Sequence, residues 1–188
     1  MFESDVLERL TRVHPAVPAV LFGPAIAGLA AIGLARLPAA GSIALALAGY
    51  LFWTLAEYWL HRALFHLEPA DGVGARLHWL IHGVHHDHPR DRDRLVMPPA
   101  ASVPLALTFF GLFVLVLGST PAIPVTAGFL AGYLAYDLTH YQLHHGRPRT
   151  RLGRRLRELH MRHHFEDDAS GFGVSVTWWD RVFGTAAR

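Results

Sequence analysis

Residues 95–136 read LVMPPAASVPLALTFFGLFVLVLGSTPAIPVTAGFLAGYLAY, 42 positions with no Asp, Glu, Lys or Arg. A bilayer core about 30 Å thick is crossed by about 20 helical residues. The stretch is too long for one span and the right length for two. Gly118-Ser119-Thr120-Pro121-Ala122-Ile123-Pro124 supplies the break, because glycine and proline punctuate helices. The reading predicts helices over about 100–118 and about 122–143, joined by a tight hairpin.

Toward the N-terminus, Val13–Ala35 and Pro38–Ala56 are two more uncharged runs, of 23 and 19 residues. Pro15, Pro18 and Pro24 predict that the first is kinked or starts late. The second continues as Glu57-Tyr58-Trp59-Leu60, an aromatic and amphipathic stretch suited to a membrane interface. Four spans would put both ends of the chain on one side. The basic residues, all Arg, agree. Arg9 and Arg12 precede the first run, Arg62, Arg76, Arg90, Arg92 and Arg94 lie between the second and third, nine follow the fourth, and Arg36 alone marks the opposite side. By the positive-inside rule the N-terminus, the central loop and the C-terminal segment face the cytoplasm. The first run has no small-residue cleavage site and is expected to be retained.

Composition narrows the chemistry. There are no cysteines, which excludes disulfides, thiolate metal sites and cysteine nucleophiles. A net charge of +2 is too small to argue for nucleic acid. The 14 histidines are the anomaly, and they fall into groups: His61 with His66, His82-Gly-Val-His85-His86, His140 with His144, and His160-Met-Arg-His163-His164. On the topology above, all lie on one side of the membrane. His140 and His144 stand i, i+4 on one helix face, and the two His-x-x-His-His units read as three rings converging on one face. His61 and His66 are i, i+5, which predicts a helix end that breaks or overwinds between them. A lone pair at a helix end is ordinarily a surface feature. Ten imidazoles gathered without a metal would leave many nitrogen lone pairs unsatisfied and, if charged, would repel one another. The arrangement predicts about five ligands for each of two metal ions. Imidazole suits zinc, copper, iron and nickel alike. A zinc hydrolase needs few ligands and a carboxylate base; ten ligands at a membrane edge favour a redox pair facing lipid.

Several stretches carry a family resemblance: Glu57-Tyr58-Trp59-Leu60-His61-Arg62-Ala63-Leu64-Phe65-His66, Leu77-His78-Trp79-Leu80-Ile81-His82-Gly83-Val84-His85-His86, Arg94-Leu95-Val96-Met97-Pro98-Pro99, Tyr136-Asp137-Leu138-Thr139-His140-Tyr141, and His163-His164-Phe165 followed by Ser170-Gly171-Phe172-Gly173-Val174-Ser175 and Trp179-Asp180. From about residue 50 onward the chain resembles the fatty acid hydroxylase superfamily, which also holds sterol desaturase-type enzymes. The Arg-Leu-Val-Met-Pro-Pro and Ser-Gly-Phe-Gly stretches are closer to the fatty acid 2-hydroxylases of sphingolipid acyl chains. The resemblance implies O2-dependent hydroxylation at C2 of a long fatty acyl chain. It implies ligand roles for His61, His66, His82, His85, His86, His140, His144, His160, His163 and His164, with two iron ions in place and zinc as the alternative on isolation. His78 is expected to support a ligand rather than bind, and Glu57, Asp137 and Asp167 to orient imidazole N–H groups. His88 and His145 fall outside the common pattern.

The expected fold is therefore an all-α integral membrane protein. It has about four transmembrane helices and a cytoplasmic, histidine-rich helical cap holding a dimetal site, in one domain over residues 1–188. The expected location is a bacterial inner membrane with the site facing the cytoplasm. Many eukaryotic members carry an electron-delivering cytochrome b5-type domain, and this chain has no room for one. A separate donor, a ferredoxin or a cytochrome b5-type carrier, is expected, with the Arg-rich stretch from Arg147 to Arg162 as a docking face that also meets membrane lipids. Phe52, Trp53, Phe109, Phe113 and Phe129 either line an acyl channel or pack as core. The rival readings are a sterol-, carotenoid- or alkane-directed hydroxylase or desaturase, and a non-enzymatic zinc-binding membrane protein. A transporter would place its ligands at mid-bilayer rather than at span ends.

Overall fold

The computed structural model describes residues 8, 11–66 and 71–187, without the side chains of residues 73, 76, 77, 80 and 81. Arg9 and Arg188, used above for topology, lie outside that description. Every regular element among the described residues is helical. In chain order they are α1 (Val17–Arg36), α2 (Ala39–Trp59) running into a π turn at Leu60–Phe65, α3 (Gly72–His78) running through a π turn at Trp79–Gly83 into α4 (Val84–Asp87), α5 (Pro99–Leu117), α6 (Ser119–His145), α7 (Arg151–Phe165) and α8 (Trp178–Val182).

The helices form two compact units. One comprises residues 16–54 and 99–135. α1 starts late, at Val17 rather than Val13, because Pro18 fits the first helical turn, where no N–H partner is needed. The break between α5 and α6 is shorter than expected. Gly118 alone makes it, and Pro121 enters the first turn of α6. α2 and α6 touch backbone to backbone: a Cβ on Gly49 would lie 2.0 Å from the Val125 carbonyl oxygen, and one on Gly128 would lie 1.7 Å from that of Ala46. Small residues at the crossing are how helices pack where lipid removes the hydrophobic drive between them. The aromatic residues pack on one another: Phe109 and Phe129 have ring centroids 4.5 Å apart, Trp53 and Phe129 5.1 Å, and Phe52 and Phe113 5.8 Å. Trp53 and Phe129 are buried and pack as core, whereas Phe109 and Phe113 are half-buried and Phe52 is exposed at the edge of the same cluster.

Three segments are long and apolar enough to cross a membrane: Val17–Arg36, Ala39–Phe65 and Arg92–Leu117. The chain is a membrane protein on this ground. Large apolar side chains such as Val20, Leu47, Leu107 and Leu115 stand exposed on them, as a lipid solvent requires. α6 is long enough to span, at 27 residues, but less apolar. Its Ala122, Val125, Phe129 and Tyr133 are buried in protein. Composition alone therefore does not mark it as a span.

The second unit comprises residues up to 15, 55–98 and 136–188. Its loop after α4 is tied down by the buried Arg94, whose guanidinium reaches Asp91 at 3.1 Å, the Thr11 hydroxyl at 2.7 Å and the Glu8 carboxylate. Val13 N–H donates to the Asp93 carbonyl at 2.6 Å. This latch holds Leu95, Val96 and Met97 inside.

Candidate metal centre

All ten histidines singled out by spacing lie in the second unit, where they form two groups of five. His61, His66, His82, His86 and His163 make group 1; His85, His140, His144, His160 and His164 make group 2. Within each group, one nitrogen per ring lies within 4.8 Å of every other.

Each His-x-x-His-His unit serves both groups, rather than sending three rings to one place. His82 and His86 enter group 1 and His85 group 2; His160 and His164 enter group 2 and His163 group 1. Helix geometry explains the split. At 3.6 residues per turn, i+4 lies about 40° to one side of residue i and i+3 about 60° to the other. Rings at i and i+4 pair, and the ring at i+3 is left to point at the neighbouring group.

The i, i+5 pair is solved by widening the helix, not by breaking or overwinding it. In the π turn Leu60–Phe65, the His66 N–H donates to the His61 carbonyl at 3.1 Å, an i+5 bond. One turn of this wider helix brings the two Nε2 atoms to 3.2 Å. His78 Nε2–H donates to the Phe65 carbonyl at the end of the π turn and stands outside both groups of five.

Other contacts converge in the same way. His82 Nε2 is 3.1 Å from His61 Nε2 and 2.9 Å from His86 Nε2. In group 2, His160 Nε2 is 2.8 Å from that of His144 and 3.2 Å from that of His164, and His85 Nε2 is 3.0 Å from His164 Nε2. These approaches cannot all be hydrogen bonds. His61 Nδ1–H donates to the Phe172 carbonyl at 2.6 Å and His163 Nδ1–H to that of Ser170 at 2.7 Å. A neutral ring that donates from Nδ1 has only a lone pair on Nε2. Burial first, and nearby imidazoles second, holds His82, His85, His160 and His164 well below the ordinary histidine value. Burial and then the charge of His163 take His66 and His86 down to about 3. The rings are therefore neutral near pH 7, with lone pairs facing lone pairs. A cation in each group turns that repulsion into ligation. Nitrogens about 2 Å from one ion sit within about 4 Å of each other, close to the spread found here. The donor set fits a pair of imidazole-bound ions.

The segment Ser170–Ser175 supplies the carbonyls that hold group 1, and two buried carboxylates hold the segment. Glu57 Oε1 accepts from Val174 N–H at 2.9 Å and Ser175 N–H at 2.7 Å, and the Ser175 hydroxyl bonds Oε2. Asp180 accepts from Phe172 N–H at 2.8 Å, Gly173 N–H at 2.9 Å and the Thr185 hydroxyl at 3.0 Å. Glu57 is thus buried, not solvated at an interface, and it reaches the histidines through the backbone rather than directly. Asp137, buried below α6's histidines, accepts from Met97 N–H at 3.4 Å. Asp167 is exposed and accepts from Ala169 N–H at 3.1 Å, so the structure does not bring it to an imidazole. His88 is exposed, and His145 stacks near Tyr141 outside both groups. Sequence reasoning missed Asp180 as a support; its signal was the Trp179-Asp180 pair following Ser-Gly-Phe-Gly.

A cavity of about 380 Å³ opens on group 1, bordered by His66, His82, His86, Phe65, His78 and Trp79. A much smaller one, about 20 Å³, touches both groups through His82, His85 and His140 and is closed by Leu95, Met97 and Tyr136.

The family model described as Fatty acid hydroxylase matches residues 46–185, three quarters of the chain and every histidine of both groups. The chain belongs to the fatty acid hydroxylase family. Among relatives of this family member, a dihydroceramide fatty acyl 2-hydroxylase of Arabidopsis thaliana is 40% identical over 186 residues, covering 98% of this chain and 78% of that protein. The fatty acid 2-hydroxylase of Mus musculus is 43% identical over 155 residues, 79% of this chain but 41% of the mouse protein. A solved structure of full-length scs7p, in which only the hydroxylase domain is visible, superposes over 100% of this chain and 72% of the other at a TM-score of 0.95 and 36% identity. Against several relatives the chain spans only about half their length or less.

Proposed function

We propose that this chain is a membrane lipid hydroxylase that inserts a hydroxyl at C2 of a long fatty acyl chain, with the ten histidines of groups 1 and 2 as ligands to two ions, iron in the working enzyme. The observation that carries the reading is the meeting of ten buried or half-buried imidazoles in two groups of five within a family whose relatives are named as ceramide and fatty acid 2-hydroxylases. The four-span topology is part of the proposal, with α6 as the fourth span, the histidines facing the cytoplasm of a bacterial inner membrane, and residues 1–188 acting as one functional domain.

Bound there, a redox-active ion pair supplies the O2 activation that an unactivated C–H bond demands. The balance is one C–H bond converted to C–OH, one oxygen atom of O2 in the product and the other released as water, with two electrons delivered one at a time by a separate carrier of ferredoxin or cytochrome b5 type and two protons taken from solvent. The chain's own residues do the rest. His66, His82 and His86 present ligands at the wall of the 380 Å³ cavity, where the reacting end of the acyl chain fits. Phe65 and Trp79 give that cavity apolar sides for an acyl chain, and Asp87 and Asp168 line its open, polar part. Glu57 and Asp180 hold the strap that fixes His61 and His163.

Lipid mass spectrometry of cells expressing the wild type and His163→Ala tests this. The expected result is 2-hydroxy acyl lipids from the wild type and a loss of at least about 100-fold in the variant. No hydroxylated acyl species from either, with donor and oxygen supplied, overturns the reading and turns the search to sterol or carotenoid substrates, or to a zinc-binding role without turnover.

A further inference from the structure

Residues Ser170–Ser175 adopt neither helix nor strand, yet their backbone is held at six points. Asp180 takes the N–H groups of Phe172 and Gly173, Glu57 takes those of Val174 and Ser175, and the two carbonyls of Ser170 and Phe172 receive His163 and His61. Gly171 N–H also donates to the Thr185 carbonyl at 2.8 Å. A Cβ on Gly173 would meet the Val176 carbonyl oxygen at 2.0 Å and Asp180 Oδ2 at 2.7 Å, so the strap is pressed onto its carboxylate. All of this serves group 1. In group 2, Nδ1 of His85, of His160 and of His164 is buried without a hydrogen-bond partner, and only His144 bonds a backbone group, that of Pro89.

We infer that the strap selects the tautomer of His61 and His163 that presents Nε2 to an ion, and that Asp180 is a positioning residue for group 1 and not for group 2. The inference rests on the reading of both groups as metal sites. The carboxylate matters because its two oxygens accept from two consecutive N–H groups, which no amide of the same shape does. Asparagine would turn an NH2 toward one of those donors. The strap would lose its grip there, the Phe172 carbonyl would drift, and His61 would be free to turn its other nitrogen inward.

The test titrates Co(II) into the metal-free full chain in detergent micelles, following visible absorption and the metal retained after desalting. The wild type is expected to take two equivalents. Asp180→Asn is expected to keep one at unchanged affinity and to bind the second about 10–100-fold more weakly. Adding His163→Ala to Asp180→Asn should remove the already weakened equivalent and leave the tight one unchanged, because both changes fall on the same ion. Adding His160→Ala should remove the remaining tight equivalent. This cycle assigns the loss to a group, which a general loss of stability would not do. Two tight equivalents in Asp180→Asn, or equal weakening of both, would overturn the inference while leaving the metal sites standing. A wild type that takes up no Co(II) would instead overturn the metal reading, and the inference with it. If Asp180→Asn does not fold, Thr185→Val removes one hydrogen bond from the same carboxylate, and it must show the same one-sided loss in milder form; equal loss from both groups again overturns the inference.

Discussion

Groups 1 and 2 each gather five imidazoles but differ in architecture. Group 2 is made from regular helix: His140 and His144 one turn apart on α6, His160 and His164 one turn apart on α7, and His85 from α4. Group 1 takes His61 and His66 across the π turn that follows α2 and His82 from the second π turn, adds His86 of α4 and His163 of α7, and sits against a strap without secondary structure. A regular helix positions rings by its period alone and needs no outside help. An irregular site has to be held, and group 1 has the holders: His78 on the π turn, and Glu57 and Asp180 on the strap.

The largest expected break in this contrast comes from Gly173→Ala. The new methyl would overlap the Val176 carbonyl, so the backbone must shift, at a cost on the order of 3 kcal/mol. Bound metal should fall from two ions to one per chain by elemental analysis, with group 2 intact. A variant that keeps both ions would show that the strap is not under tension at this point.

Next in size is the pH dependence of the metal-free protein. His66 and His86 titrate at about 3 in the fold against 6.5 for a free imidazole. Between those values the unfolded chain binds more protons than the folded one, so stability rises with pH. The contribution is complete above about pH 6.5 and is lost as pH falls toward about 3. Unfolding midpoints across pH 4–8 should climb with pH, and bound metal should keep the slope at least as steep, because ligation keeps the rings unprotonated in the fold while the unfolded chain still takes up protons. An apo protein whose midpoint is level from pH 5 to 7 would show that these rings are not desolvated as described.

The smallest effect separates a real support from an apparent one. His78→Ala removes the bond to the Phe65 carbonyl and should cost about 1 kcal/mol and less than about ten-fold in group 1 affinity. Asp167→Ala, at an exposed turn, should leave metal content and thermal midpoint unchanged. Reversing that order would move the support of the site from the π turn to the loop after α7.

The same contrast marks what was legible in the sequence. The long helices were, within a few residues, because uncharged runs and proline positions register helix starts, and three of the four expected spans are long and apolar enough to cross a membrane. So were the ten histidines, because i, i+3 and i+4 spacing survives in any helix. Which rings share a group was not, since the i+3 ring turns away from its i+4 neighbour only when another helix offers it a place. The first π turn left one mark, the i, i+5 spacing of His61 and His66, which does not tell a widened helix from a broken or overwound one. Leu60–Phe65 has no glycine or proline to announce a change of helix, and what sustains it, His78, lies 13 residues from the carbonyl it holds. Asp180 and Glu57 act on the strap's backbone, and a backbone contact leaves no trace in side-chain periodicity.

The strap also sets an order of events in the life of the chain. Glu57 meets Val174 across 117 positions, His61 meets Phe172 across 111, and Tyr58 meets Thr185 across 127. Chains are synthesised from the N-terminus, so every histidine is made before the residues that orient His61 and His163. The helices that carry group 2 end at Phe165, whereas group 1 waits on residues 170–185, the last part of the chain to be made, for the carbonyls that give two of its rings their aim.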